Sequence, residues 1–107
     1  MGDSDDMGDS DLPPVHHDAD RSRFVIRTEA GDAEVAYQRA TNLIVFTHTE
    51  VPKEAEGQGV GSRLARAALD WARTEGVPVL PLCPFVAAYV RRHADDYGDL
   101  LMPGVRL

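Results

Sequence analysis

One stretch constrains this chain more than any other: Val51-Pro52-Lys53-Glu54-Ala55-Glu56-Gly57-Gln58-Gly59-Val60-Gly61-Ser62, with glycines at three alternate positions. It joins a β-branched apolar run, Leu43 to Val51, to a helical pattern that begins at Gly59 or Val60. A strand that ends where a helix begins aims the helix's unpaired amides and positive dipole end at whatever sits in the mouth of the loop. Phosphate oxygens suit that position. Glycines let a ligand approach the main chain with no Cβ in the way. The stretch therefore reads as a backbone cradle for a phosphate-bearing ligand, with a tight ligand-free turn as the alternative.

The flanking chain supplies strands before the loop and helices after it. Phe24, Ile26 and Thr28 alternate with Arg23, Val25 and Arg27, as in a half-exposed strand. Gly31-Asp32 gives turn chemistry, and Ala33 to Gln38 alternates again, which predicts a hairpin. Leu43-Ile44-Val45-Phe46 is apolar at every position and predicts an interior strand covered on both faces. After the loop, Val60, Leu64, Ala67, Ala68, Trp71 and Ala72 form one helical stripe that Gly76 closes. Pro78 to Leu82 reads as a short strand parallel to the third, placed at an edge or partly unpaired because Pro81 has no N–H to give. Pro84 opens a second helix with Phe85, Val86, Tyr89, Val90 and His93 at three- and four-residue spacing, ending near His93. The segment after Asp95 is expected to dock loosely or add a short edge piece.

Charge divides the chain unevenly. The first twenty residues hold seven aspartates and no Lys or Arg, whereas residues 21–107 hold eleven acidic and eleven basic side chains, so the net charge of -7 belongs to the leader. Residues 1–20 read as a disordered acidic tail and 21–107 as a single domain. The adjacent His16 and His17 do not make a metal site by themselves, and no metal is expected. A domain of zero net charge lacks the basic footprint of a nucleic-acid binder. No apolar run approaches the roughly 20 residues of a membrane span. A lone cysteine, with no export signal, points to a reducing cytoplasmic setting.

Two nucleotide motifs fit the loop poorly. A P-loop ends in Gly-Lys-Ser/Thr, but Gly61 is followed by Ser62-Arg63; a dinucleotide fingerprint places its third glycine one residue later and needs an acid that Val77 to Leu82 lacks. The run Glu56-Gly57-Gln58-Gly59-Val60-Gly61 instead resembles the acyl-coenzyme A loop of the GNAT N-acetyltransferase superfamily, Arg/Gln-x-x-Gly-x-Gly/Ala. With His48-Thr49-Glu50-Val51-Pro52, Pro81-Leu82-Cys83-Pro84-Phe85-Val86 and Tyr89 to His93, it is similar to a compact single-domain branch of that superfamily, from Phe24 to about Leu101.

The resemblance implies an α+β fold: a mixed sheet of antiparallel N-terminal strands plus one parallel strand–helix–strand crossover, with two helices. It implies acetyl-coenzyme A as cosubstrate, its pantetheine arm lying between the splayed third and fourth strands. Main chain near Glu50 and Val51 would hold that arm, and the amides of Gly57, Gln58, Gly59, Val60, Gly61 and Ser62 the pyrophosphate. Phe85 and Tyr89 are assigned to the coenzyme site, with Tyr89 either protonating the leaving thiolate or packing in the core. Acetyl transfer to an amine, small or carried on a protein, is the expected activity. A non-catalytic acyl-coenzyme A sensor and a ligand-free partner-binding domain are the alternatives.

Two departures from the family stand out. Glu56 occupies the Arg/Gln position and repels a pyrophosphate unless it points away or pairs with Lys53 or Arg63. The two helices that ordinarily shape the acceptor site are missing. His48 and Glu50, two apart near the end of a strand, point to one face and are candidates for base and relay. Cys83, at the start of the helix that Pro84 opens, occupies a position where free amides favour an anion. It is a candidate nucleophile for an acyl-enzyme route beside direct transfer, or else a small buried hydrophobe.

Overall fold

A computed structural model describes residues 13–105. Five strands form one sheet in the order β1-β2-β3-β4-β5: β1 His16–Asp18, β2 Arg23–Thr28, β3 Gly31–Ala40, β4 Leu43–Glu50 and β5 Val79–Pro81. The first four are antiparallel in succession, and β5 is parallel to β4. The crossover between β4 and β5 is the helix α1, Val60–Glu75; α2, Pro84–Arg92, and the one-turn helix α3, Ala94–Tyr97, follow β5. The expected architecture is present, with a third helix where two were foreseen.

That third helix has a local cause. His93 leaves helical geometry at φ -121°, and its carbonyl accepts from the amides of Asp96 and Tyr97 to start a new turn. Tyr97 Oη then donates to Asp70 Oδ1 of α1 at 2.7 Å, which pins α3 to the crossover helix. Beyond it, Leu101 bridges to Val79 as a short edge piece.

One apolar cluster joins Phe24, Ile26, Val35, Tyr37, Ile44 and Phe46 of the sheet to both long helices. In α1 the fully buried line is Leu64, Ala65, Ala68, Leu69 and Ala72, while Ala67 and Trp71 lie at its margin, so the stripe is centred one position away from the sequence expectation. Burying Leu64 and Leu69 completely contributes about 2 kcal/mol each. Gly76 caps the helix at φ 73°, its amide donating to the carbonyls of Ala72 and Arg73. The helices cover one face only. Ile44 and Phe46 are wholly buried, but Leu43 and Val45 on the other face are half-exposed, which corrects the expectation of an interior strand covered on both sides.

The parallel pairing is short. Ile44 pairs with Val79, Val45 with Leu80 and Phe46 with Pro81, while β4 continues to Glu50. The amide of Ile44 donates to Pro78 and that of Leu82 to Phe46, so alternate residues of β5 face β4 and the position of Pro81 faces the open edge. Pro81 thus marks an edge strand, as expected, but it does not interrupt the ladder. The ladder stops because the amides of Leu82 and Cys83 both donate to Phe46 O, at 3.0 Å each, before Pro84 starts α2.

Strand β1 lies before residue 20 and pairs with β2. His16 lies opposite Val25, His17 opposite Phe24 and Asp18 opposite Arg23. The His17 ring stacks on Phe24 at 4.1 Å and 8°, meets Trp71 edge-on, and shares a 2.6 Å hydrogen bond with Tyr37 Oη. Aspartate counts hid this aromatic docking; the expectation for residues 1–12 lies outside the described residues.

Burial holds the His17 imidazole below its ordinary pKa of 6.5, with the Glu75 charge pulling the other way. The unfolded chain therefore takes up this proton at higher pH than the folded one. The contribution of neutral His17 is complete above about pH 6.5 and is lost as the pH falls from there toward the folded-state value. Between about pH 7.5 and 5.5 the thermal midpoint is expected to drop more in the wild type than in His17→Phe. Equal drops in the two proteins would remove His17 as the source.

Candidate functional site

The end of β4 is shaped by a bulge. Register passes from Tyr37 opposite Phe46 to Ala36 opposite His48, which leaves Thr47 as an extra residue on β4. Strict alternation from Phe46 would send His48 and Glu50 into the core and Thr49 outward. The inserted residue reverses this. Thr49 lies opposite Val35 on the core face, and His48 and Glu50 lie opposite Ala36 and Glu34 on the uncovered face. His48 and Glu50 do share a face, as the spacing predicted, with His48 Nε2 3.7 Å from Glu50 Oε1 and both side chains exposed.

Beyond the bulge a cavity of about 620 Å³ opens between β4, the glycine loop and α2. Thr49, Glu50 and Val51 line its strand side, Ala55 to Gly57 and Gly59 to Ser62 its loop side, and Phe85 its α2 side. Gly57 and Gly59 have φ of 86° and 80°, conformations open to glycine, and a Cβ on either would meet nothing within 4 Å. Gly59 caps α1 with no side-chain hydrogen bond, and the first helical bond in its direction runs from Arg63 N to Gly59 O. The amides of Val60, Gly61 and Ser62 thus precede every intrahelical donor and border the cavity. This is a ready anion cradle at one end of an apolar slot.

The site residues named from sequence divide into three groups. Val51, Gly57, Gly59, Val60, Gly61, Ser62, Phe85 and Glu50 line the cavity together. Gln58 turns to the other side of the loop, where its Nε2 donates to Glu54 O, and His48 stands beside Glu50 on the open face. Tyr89 is buried, with its ring 4.3 Å from His93 and 6.0 Å from Tyr97, away from the cavity lining. Cys83 is 2% exposed and caps α2 without a side-chain bond of its own; its Sγ lies 2.7 Å from Thr49 Oγ1. The thiol therefore reaches the cavity through Thr49.

Sequence reasoning missed Thr49 and Glu34. Glu34, held by Arg23 Nη1 at 2.7 Å, has its carboxylate within 4.8 Å of the ligating atoms of His48 and Glu50. Only a known bulge would have shown that Thr49 faces inward and Glu34 joins that pair. Glu50 and Glu56 are the charged residues of the lining.

A sequence profile of the GCN5-related N-acetyltransferases matches residues 23–100. The chain belongs to this family. Among curated proteins this GNAT domain is similar to NATD1 of Gallus gallus and of Homo sapiens. Each is 33% identical over 93 residues, covering 83% of this chain and 84% or 82% of theirs. NATD1 of Xenopus tropicalis is 30% identical over 103 residues, with 92% of this chain and 94% of its own covered. Among solved structures, a GCN5-like protein from Staphylococcus aureus superposes with a TM-score of 0.65 at 29% identity, over 87% of this chain and 90% of that one. No helix among the described residues is long and apolar enough to cross a membrane.

Gly61 has a packing role in this GNAT loop. A Cβ there would stand 2.6 Å from Phe85 Cζ and 3.0 Å from Phe85 Cε2, so the ring rests directly on the α1 backbone. Gly61→Ala is expected to displace Phe85 and to destabilise the fold by about 1–3 kcal/mol in urea unfolding. Gly59→Ala, strained by its positive φ but open in space, should leave the Phe85 side-chain resonances in place. An unshifted Phe85 spectrum in Gly61→Ala would contradict this contact.

Proposed function

We propose that this GNAT protein binds acetyl-coenzyme A in the 620 Å³ cavity and transfers the acetyl group to a primary amine. The observation that carries the reading is the continuity of the slot: the α1 amides at one end, and at the other the end of β4 at Thr49 and Glu50, which β5 leaves unpaired on that side. The residues present fit the cosubstrate. Backbone donors face a pyrophosphate with no Cβ intruding at Gly57 or Gly59, and free strand positions beside Val51 suit a pantetheine amide chain. The cosubstrate supplies an activated acyl group as a thioester.

The protein's own groups then divide the work. Glu50, at the cavity wall and open to solvent, takes a proton from the incoming ammonium or amine, with His48 at 3.7 Å to share the charge. The amine nitrogen would bond to the acetyl carbon as the carbon–sulfur bond breaks, and the coenzyme would leave as a thiolate that takes its proton from solvent in the open cavity. Thr49 Oγ1, on the core side of the bulge, is the hydroxyl that faces the slot beside Cys83. The open sheet face beyond His48 leaves room for an acceptor carried on a large molecule. Direct transfer accounts for Cys83 better than an acyl-enzyme does, since the thiol is buried behind Thr49.

Titration with acetyl-coenzyme A is expected to raise the thermal midpoint, and thiol release over a panel of primary amines to report turnover. No shift at millimolar ligand would end the proposal. Glu50→Gln should lower turnover about 10²-fold while leaving the affinity for acetyl-coenzyme A within about twofold. Cys83→Ala should keep most of the turnover; its complete loss in a folded variant would restore the acyl-enzyme route. Glu56→Gln should tighten coenzyme A about three- to tenfold at low salt, by removing a like charge from the phosphate end. Unchanged affinity would mean that its carboxylate points away from the phosphates.

A further inference from the structure

The bulge at Thr47 assembles a ligating set that sequence spacing does not show. Glu34 lies directly opposite Glu50, and Ala36 opposite His48, so one imidazole and two carboxylates from neighbouring strands share the uncovered face. Their ligating atoms all lie within 4.8 Å of one another. No metal is expected from the adjacent His16 and His17, but this is a different set, and it joins an imidazole to the carboxylates.

Charge on this face favours a cation. Like charges directly opposite on paired strands repel, and Glu34 and Glu50 are such a pair. Arg23 offsets only part of that, because its guanidinium is shared among Glu34 at 2.7 Å, Asp18 at 3.4 Å and Asp32 at 4.0 Å. Its bond to Glu34 engages Oε1 and fixes the side chain, so the second carboxylate oxygen is the one a metal would take. One imidazole and two carboxylates are the ligand types of a zinc site that keeps its fourth position for solvent. The imidazole weighs against Mg²⁺ and Ca²⁺, which prefer oxygen ligands throughout. Bonds of about 2.0–2.2 Å set tetrahedral ligand atoms roughly 3.4 Å apart. The exposed side chains of His48 and Glu50 close that difference by rotation, with the strand backbones in place.

We infer that Glu34, His48 and Glu50 bind a divalent ion of the zinc type, and that the bound ion shuts off acetyl transfer. The second half rests on the proposed role of Glu50 as the base: the metal occupies the carboxylate and imidazole lone pairs that would otherwise receive the proton. The metal site itself stands on the ligand geometry.

Two measurements on the full chain test it. In the first, Zn²⁺ is titrated by calorimetry, and Co²⁺ by visible absorption, which reports tetrahedral coordination. One equivalent should bind at this site, with NMR shifts centred on Glu34, His48 and Glu50, and millimolar Mg²⁺ should not displace it. His48→Ala and Glu34→Gln should each weaken zinc at least about tenfold. The thermal midpoint without metal checks that each variant is folded, and if Glu34→Gln is not, His48→Ala carries the test. Zinc that binds equally well to the variants sits elsewhere, the aspartates of residues 1–12 included, and overturns the site. Absence of binding at submillimolar Zn²⁺ does the same. In the second, turnover with zinc is divided by turnover with EDTA in the same protein, so that differences in basal activity cancel. The ratio should fall at least about tenfold in the wild type and stay near one in Glu34→Gln. A ratio of one in the wild type at saturating zinc overturns the inhibition. If no amine supports turnover, the proposed function falls and the inhibition with it, while calorimetry still decides the metal site.

Discussion

Two amides sharing one acceptor set the shape of this protein. Leu82 N and Cys83 N both donate to Phe46 O, so the parallel ladder between β4 and β5 ends there, although β4 runs four residues further. A sheet that zipped to its end would leave no slot. The doubled bond turns the chain into α2, whose first turn carries Phe85 across to Gly61, and the two helices that flank the gap thereby hold it at fixed width. The freed strand positions from Thr47 to Glu50 are backbone donors and acceptors on one side of an apolar cleft, a surface that calls for an extended polar chain as its partner.

The bulge at Thr47 sorts the side chains around that cleft. With one extra residue, Thr49 goes in toward Cys83 while His48 and Glu50 go out beside Glu34. The titratable groups His48 and Glu50 thus remain in water on the uncovered face, and the buried side receives a hydroxyl and a thiol that satisfy one another. Burying Glu50 in place of Thr49 would demand a partner for its charge that the apolar cluster does not supply. The helices take one face because of the crossover between β4 and β5, and the inserted residue puts the titratable groups on the other.

Much of this was legible in the sequence wherever a local rule acts alone. The hairpin around Gly31, Gly76 as the stop of α1 and Pro84 as the start of α2 follow from turn chemistry and are found in place, and the periodicity of α1 is found with its stripe shifted by one position. The glycine loop pointed to an anion cradle for the same reason. What could not be read depends on distant partners. Thr47-His48-Thr49 carries no bulge signal, since any of the three could be the extra residue; only pairing with β3 decides it. His17 sits among aspartates and looks like tail, yet its ring finds Phe24, Tyr37 and Trp71, residues 7 to 54 positions away. Pro81 was correctly an edge signal, yet it sits within the ladder opposite Phe46 without interrupting it.

The cradle is built from main chain, and this bears on how a loop with Glu56 would hold the proposed polyanion. Amides of Val60, Gly61 and Ser62 donate whatever side chains surround them, and their strength comes from the helix behind them. A carboxylate nearby subtracts from that attraction without removing the donors. Its effect on affinity is therefore graded and sensitive to salt, unlike the loss of a glycine, which would change the backbone itself. Side-chain charge around the cradle tunes the attraction for an anion by degrees, whereas the glycines set the backbone that carries the donors. In this chain the charge at the cavity wall is repulsive, at Glu56, and the donors that would overcome it are the ones fixed by the fold.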